Sequence, residues 1–153
     1  MKIPHYTESL PYALESTSRI IHEAVKRFFE ESKFEITHDE FVVLDTLYAN
    51  PGILQIDLAK LILKGRAHTG RFLMSLESKG FVKRTPSSKG RKLIMLSTIT
   101  DEGLKVYQKI SNEIENHIES FHNHLTEEKE RQLLELLSLA KADVLAKYDI
   151  KFQ

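Results

Sequence analysis

Between Lys64 and Lys92 the chain carries nine bases (Lys64, Arg66, Arg71, Lys79, Lys83, Arg84, Lys89, Arg91 and Lys92) and a single acid, Glu77. Over its 153 residues the charge balances, with 22 Lys and Arg against 22 Asp and Glu. The surplus of eight positive charges in this stretch is therefore offset elsewhere. Segregated charge of this kind aims a field at one face, and its natural partner is a polyanion. The bland alternative is a solvated surface loop, and the elements that carry these residues weigh against it.

Other chemistries find little support. With no cysteine there is no thiol nucleophile, redox switch or disulfide. No nucleophile motif, glycine-rich phosphate loop or pair of carboxylates in a credible cleft is present, so an enzyme is not expected. Seven histidines invite a metal. His117, His122 and His124 cluster, but on a helix His122 and His124 diverge by roughly 200°. His117 and His124 share a face at about 10 Å along the axis, too far for one ion. Glu113 and His117 give two ligands and no evident third. No metal and no cofactor are expected.

A hydrophobic content of 41% is enough for a core. No long apolar run suggests a signal peptide or membrane span, and a cytoplasmic protein with no membrane partner is expected. Residues 10–30 read as a helix with Leu14, Ile21, Val25 and Phe28 on one stripe, widened by Phe29. Thr37 to Glu40 has capping-box spacing, and Phe41, Leu44, Leu47 and Tyr48 follow at helical spacing to Asn50-Pro51-Gly52. A short helix at about 55–63 buries Ile56, Ala59 and Ile62. A second, over 66–79, buries Thr69, Phe72, Leu73 and Leu76, and Gly80 ends it. Two short helices joined by a tight turn make a helix-turn-helix. "FVKR" and "RKLIMLS" around the turn-rich "TPSSKG" then read as a hairpin, which completes a winged-helix plan.

Thr100 caps a helix reaching to about His122 through Leu104, Tyr107, Ile110, Ile114 and Ile118, with Phe121 near the same stripe. Thr126 starts a last helix whose apolar face, Leu133, Leu136, Leu137, Ala140, Val144 and Tyr148, is widened by Leu134, Leu139 and Leu145. These end helices carry more apolar surface than the winged domain covers, which favours dimerisation over packing only on each other.

With Thr69, Phe72, Leu73 and Leu76 turned inward, Ala67 and Arg71 point away from the core, flanked by His68, Gly70 and Ser75, with Arg66 at the helix start. The Arg71 fork suits guanine O6 and N7, and Ala67 suits a thymine methyl. His68 reads as a phosphate or solvent-facing group. Gly70 costs roughly 1 kcal/mol against alanine inside a helix, which close backbone approach to DNA would justify. The alternative is a tolerated weak spot. Lys79 and Lys83 are phosphate partners or merely solvated.

The chain resembles the MarR family of winged-helix regulators. The likeness rests on "LAKLI" at 58–62, "RAHTGRFLMSLESKGFVKR" at 66–84, Arg91, "TDEG" at 100–103 and "LTEEKERQLLELLSLAK" at 125–141. The family's turn glycine near 63 is here Leu63, with Gly65 beyond it. The resemblance implies a mainly α fold with a small β-hairpin wing, in which a winged helix-turn-helix region, 37–103, lies between helical dimerisation regions, 1–35 and 104–153. It implies a homodimer that binds double-stranded DNA at palindromic promoter sites, as a repressor released by a small aromatic or amphiphilic effector. In the wing, Lys89, Arg91 and Lys92 would face DNA, with Arg91 entering the minor groove, and Arg84 would contact phosphate or tether the wing. Arg19, His22, Phe41, Tyr48 and Tyr107 are the candidate effector-pocket residues, with ordinary packing as the alternative. The runner-up function is an interaction module binding an acidic protein partner through the same basic face.

Overall fold

The computed structural model describes residues 5–118 and 124–152. The chain divides into two compact units between Val42 and Val43. The first holds a short 3-10 turn, Tyr6–Glu8, helix α1, Leu10–Glu31, and the opening of helix α2, His38–Ala49. The Ser9 side chain caps α1 by accepting the Tyr12 N–H, and Pro11 sits in the first turn, where its missing donor is not needed. An aromatic cluster forms the interior of this unit. The Phe29 ring lies 5.2 Å from Phe34 and 5.9 Å from Phe41, and Phe28 lies 5.6 Å from Phe34. The expected capping box forms: Glu40 N donates to Thr37 Oγ1 at 3.3 Å, and Thr37 N donates to Glu40 Oε2 at 2.8 Å.

The second unit continues with strand β1, Ile53–Leu54, helix α3, Gln55–Leu61, helix α4, Arg66–Ser78, strands β2, Val82–Lys89, and β3, Lys92–Ile99, helix α5, Asp101–Ile118, and helix α6, Glu127–Lys147. Its core is built from Leu44 and Leu47 of α2, Leu58 and Ala59 of α3, Thr69, Leu73 and Leu76 of α4, Val82 of β2 and Ile110 of α5, all buried. Contrary to the expected pattern for α3, Ile56 is exposed and Leu58 takes the fully buried place. The stripe is rotated because Leu58 and Ala59, adjacent in sequence, both face inward.

Both helices of the helix-turn-helix end in the same hydrogen-bonded motif. After α4, Gly80 N donates to Glu77 O and Phe81 N to Leu76 O, with Gly80 at φ +77. After α3, Leu63 N donates to Lys60 O and Lys64 N to Ala59 O, with Leu63 at φ +54. The left-handed corner that glycine fills in one turn is filled by leucine in the other, at a cost of about 1–2 kcal/mol. Gly65 does not relieve it, since its φ is −67.

The sheet is antiparallel, ordered β1-β3-β2. The wing departs from expectation. "TPSS" is not a loop: β2 runs unbroken through Pro86, paired with Met95, to Lys89, paired with Lys92. The turn is only Gly90 and Arg91, with Gly90 at φ +63 in the first corner, the pattern of a two-residue hairpin. Pro86 is tolerated because β2 is an edge strand, where a missing N–H can face away from the ladder. The two-residue β1, pairing Ile53 with Ser97, was not foreseen.

The "TDEG" segment closes the domain. The Thr100 hydroxyl donates to Gly80 O at 2.6 Å and accepts from Gly103 N at 3.1 Å, while Thr100 N donates to Phe81 O at 3.0 Å. This clamps the start of α5 to the turn after α4. Thr126 caps α6 by accepting the Lys129 N–H. None of the residues of α6 is buried, and Leu134, Leu136, Leu139 and Leu145 are all more than half exposed. Phe121 and His122, expected at the end of α5, lie outside the described residues.

Candidate nucleic-acid interface

Helix α4 is fixed from beneath by Leu73 and Leu76 and at its start by Thr69, whose hydroxyl donates to Gly65 O at 3.0 Å. The opposite stripe is left to solvent. Arg66, Ala67, His68 and Arg71 are exposed there, and Gly70 and Ser75 flank them half-buried. In the wing, Lys83, Lys89, Arg91 and Lys92 are exposed, with Arg91 at the outermost corner of the turn. Arg66, Arg71, Lys83, Lys89, Arg91 and Lys92 have no carboxylate partner among the described residues. Unneutralised cations along a helix face and at a hairpin tip present a field suited to phosphate.

Arg84 stands apart from them. Its Nε donates to Glu77 Oε2 at 2.8 Å and its Nη2 to the same oxygen at 2.5 Å. Its backbone N–H reaches Glu77 Oε1 at 3.3 Å. Of the two readings of Arg84, this geometry is that of a tether, joining the end of α4 to the base of the wing. The Arg84 hydrogen bond holds the Glu77 carboxyl below its ordinary range, against partial desolvation. The lone acid in the basic stretch thus orients the stretch's own elements, a pairing that a seven-residue separation across two elements hides from sequence.

Gly70 also acquires a neighbour within the chain. A methyl group added there would meet Gln55 Nε2 at 3.0 Å, and that amide donates to Arg66 O at 3.3 Å. Gln55, at the start of α3, therefore lies over the first turns of α4, a role its sequence position did not announce.

The candidate effector residues are distributed over both units. Arg19 is exposed and paired with Glu15 at 2.7 Å, the His22 ring lies 6.2 Å from His38, and Phe41 belongs to the aromatic cluster. In the second unit Tyr48 and Tyr107 stack with centroids 4.8 Å apart, and Tyr107 Oη donates to Asp45 Oδ1 at 3.0 Å. Burial, and then this hydrogen bond to Asp45, raise the Tyr107 hydroxyl above its usual range. Among the described residues no cluster of three metal-ligating side chains occurs, and no helix is long and apolar enough to cross a membrane.

Comparison with known proteins agrees with this architecture. Residues 36–94 match the model of the MarR family. The chain is 29% identical over 115 residues to the uncharacterized HTH-type transcriptional regulator YybA of Bacillus subtilis (strain 168), covering 75% of this chain and 76% of YybA. Among solved structures, the transcriptional repressor CouR, bound to a 23-mer DNA duplex, superimposes with a TM-score of 0.79 at 25% identity, over 92% of this chain and 98% of CouR. A MarR protein from Peptoclostridium difficile DA00132 gives 0.77 at 22% identity, over 96% of this chain and 95% of that one. The helix-turn-helix and most of the wing thus match the MarR family, and the architecture over nearly the whole chain is similar to that of solved regulators such as CouR.

Proposed function

We propose that the protein is a homodimeric repressor that binds palindromic promoter DNA and is released by a small aromatic or amphiphilic effector. The observation that carries the DNA reading is the set of unpaired cations on the exposed stripe of α4 and on the wing tip. Arg66 and Arg71 would enter the major groove, with Arg71 forked to a guanine. Arg91 would reach the adjacent minor groove, while Lys89 and Lys92 meet phosphates. CouR, similar over most of its length, is a repressor solved on DNA. Dimerisation is supported by α6, a 21-residue helix with an apolar face and no buried residue. The stacked Tyr48 and Tyr107 support an aromatic effector, which would act through a difference in affinity between DNA-fitting and non-fitting arrangements.

Selection of bound duplexes from a random pool tests this. The expected product is two inverted half-sites about one helical turn apart, footprinted by a dimer. Binding with no preference over random DNA would reject the repressor and favour the module for an acidic protein partner.

A further inference from the structure

The exposed stripe of α4 holds one residue that its chemistry leaves unexplained. Met74 is 60% exposed, while Leu73 and Leu76 beside it are fully buried. At 100° per residue, Ala67, Arg71 and Met74 fall within about 60° of one another, so Met74 lies on the same line as the arginine proposed to read a base. The wing does not bury it, and the wing's own Leu93 is 74% exposed.

Scattered apolar residues on a surface are ordinary. One placed on the same stripe as base-facing cations is a different matter, because the major groove has little to offer it. Guanine, cytosine and adenine present donors and acceptors along that edge, and desolvating them against a thioether gains nothing. Thymine alone presents a methyl group. Methionine is unbranched and adaptable, and it can follow a methyl without an exact fit.

We propose that Met74 is a specificity-determining residue that packs on a thymine C5-methyl group beside the guanine taken by Arg71. This deepens the DNA-binding reading and rests on it. Met74 follows Arg71 by about 4.5 Å along the helix axis, so the thymine lies within one or two base steps of the guanine, at about 3.4 Å per step. With Ala67 on the other side of Arg71, the half-site is a guanine bracketed by thymine methyls.

The test uses the full-length protein and the site selected from random DNA. Each thymine is replaced singly by deoxyuridine, which removes only the methyl group, and Kd is measured at fixed salt for wild type, Met74→Ala and Met74→Leu. At the thymine on the Met74 side of the guanine in each half-site, replacement should weaken wild-type binding roughly four-fold, the value of one methyl taken out of water. Met74→Ala should show no loss at that position, Met74→Leu should keep most of it, and both variants should melt with wild type. Uracil penalties equal in wild type and Met74→Ala at every thymine would overturn the assignment alone, as would a selected half-site with no thymine near its guanine. Failure of wild type to retain DNA even in dilute buffer would overturn the DNA-binding reading with it.

Discussion

Gly103 tests the account of the domain against simple helix propensity. It stands in the first turn of α5, where alanine is the better helix former by at most about 1 kcal/mol. On that ground Gly103→Ala should stabilise the protein. The structure demands the opposite. The added methyl would sit 2.0 Å from Phe81 O and 2.8 Å from Phe81 C. That is about 1.5 Å short of ordinary contact, and the obstacle is backbone rather than a flexible side chain. Phe81 cannot withdraw easily, since its carbonyl accepts from Thr100 N and its own N–H donates to Leu76 O. Overpacking of this kind costs about 1–3 kcal/mol, and each hydrogen bond broken in the clamp adds about 1 kcal/mol. A net loss of about 2–4 kcal/mol follows, or a Tm lowered by roughly 5–15 °C in a chain of this size. Thermal and urea unfolding at one fixed protein concentration measure it, since coupling to assembly makes Tm concentration-dependent. Gly70→Ala is the internal control. Its methyl meets only the mobile end of Gln55 at 3.0 Å, so its stability should lie within about 1 kcal/mol of wild type. A Gly103→Ala protein as stable as wild type would refute the clamp.

Three further outcomes follow from the same geometry. Leu63→Gly should raise stability by about 0.5–1 kcal/mol in urea unfolding, because relief of the left-handed corner outweighs the added freedom of the unfolded chain, and Leu63 is 48% exposed. The Glu77 carboxyl is held below its ordinary value, so its contribution is present above about pH 4.5 and is lost as pH falls through the folded-state value. Because the pair is partly exposed, that contribution is at most about 1 kcal/mol, and Glu77→Gln should flatten the acid limb of the stability curve by that amount. Arg91→Ala should weaken DNA binding and reduce the salt slope by about 1 for each phosphate left unneutralised, with sedimentation showing unchanged assembly. Wild-type affinity in that variant would remove the wing tip from the interface.

Much of this was legible in the chain. The capping box at Thr37, the Gly80 corner and the Thr100 cap of α5 are local, and each writes its hydrogen bonds within a few residues, whereas the bonds from Thr100 to Gly80 and Phe81 cross about twenty residues. The exposed stripe of α4 followed from period alone. The wing tip did not, because Pro-Ser-Ser-Lys-Gly resembles a turn throughout, and only the pairing partner shows that Pro86 sits in an edge strand. Strand β1 is two residues long, too short for any periodicity. The Glu77–Arg84 pair and the Gln55 amide over Gly70 join separate elements, so their meaning appears only when the helices are packed. Leu63 was marked by the absence of an expected glycine, and the structure shows the backbone keeping the corner that glycine would have eased.

Pro86 has a consequence for how the protein behaves in a crowded cell. An eight-residue strand at the margin of a sheet is a template on which a neighbouring molecule can add its own strand, the first step of aggregation. A residue without an amide hydrogen at its middle and lysines toward both ends, Lys83 and Lys89, break that template. The wing can therefore project far enough to reach a ligand while remaining a poor surface for self-association.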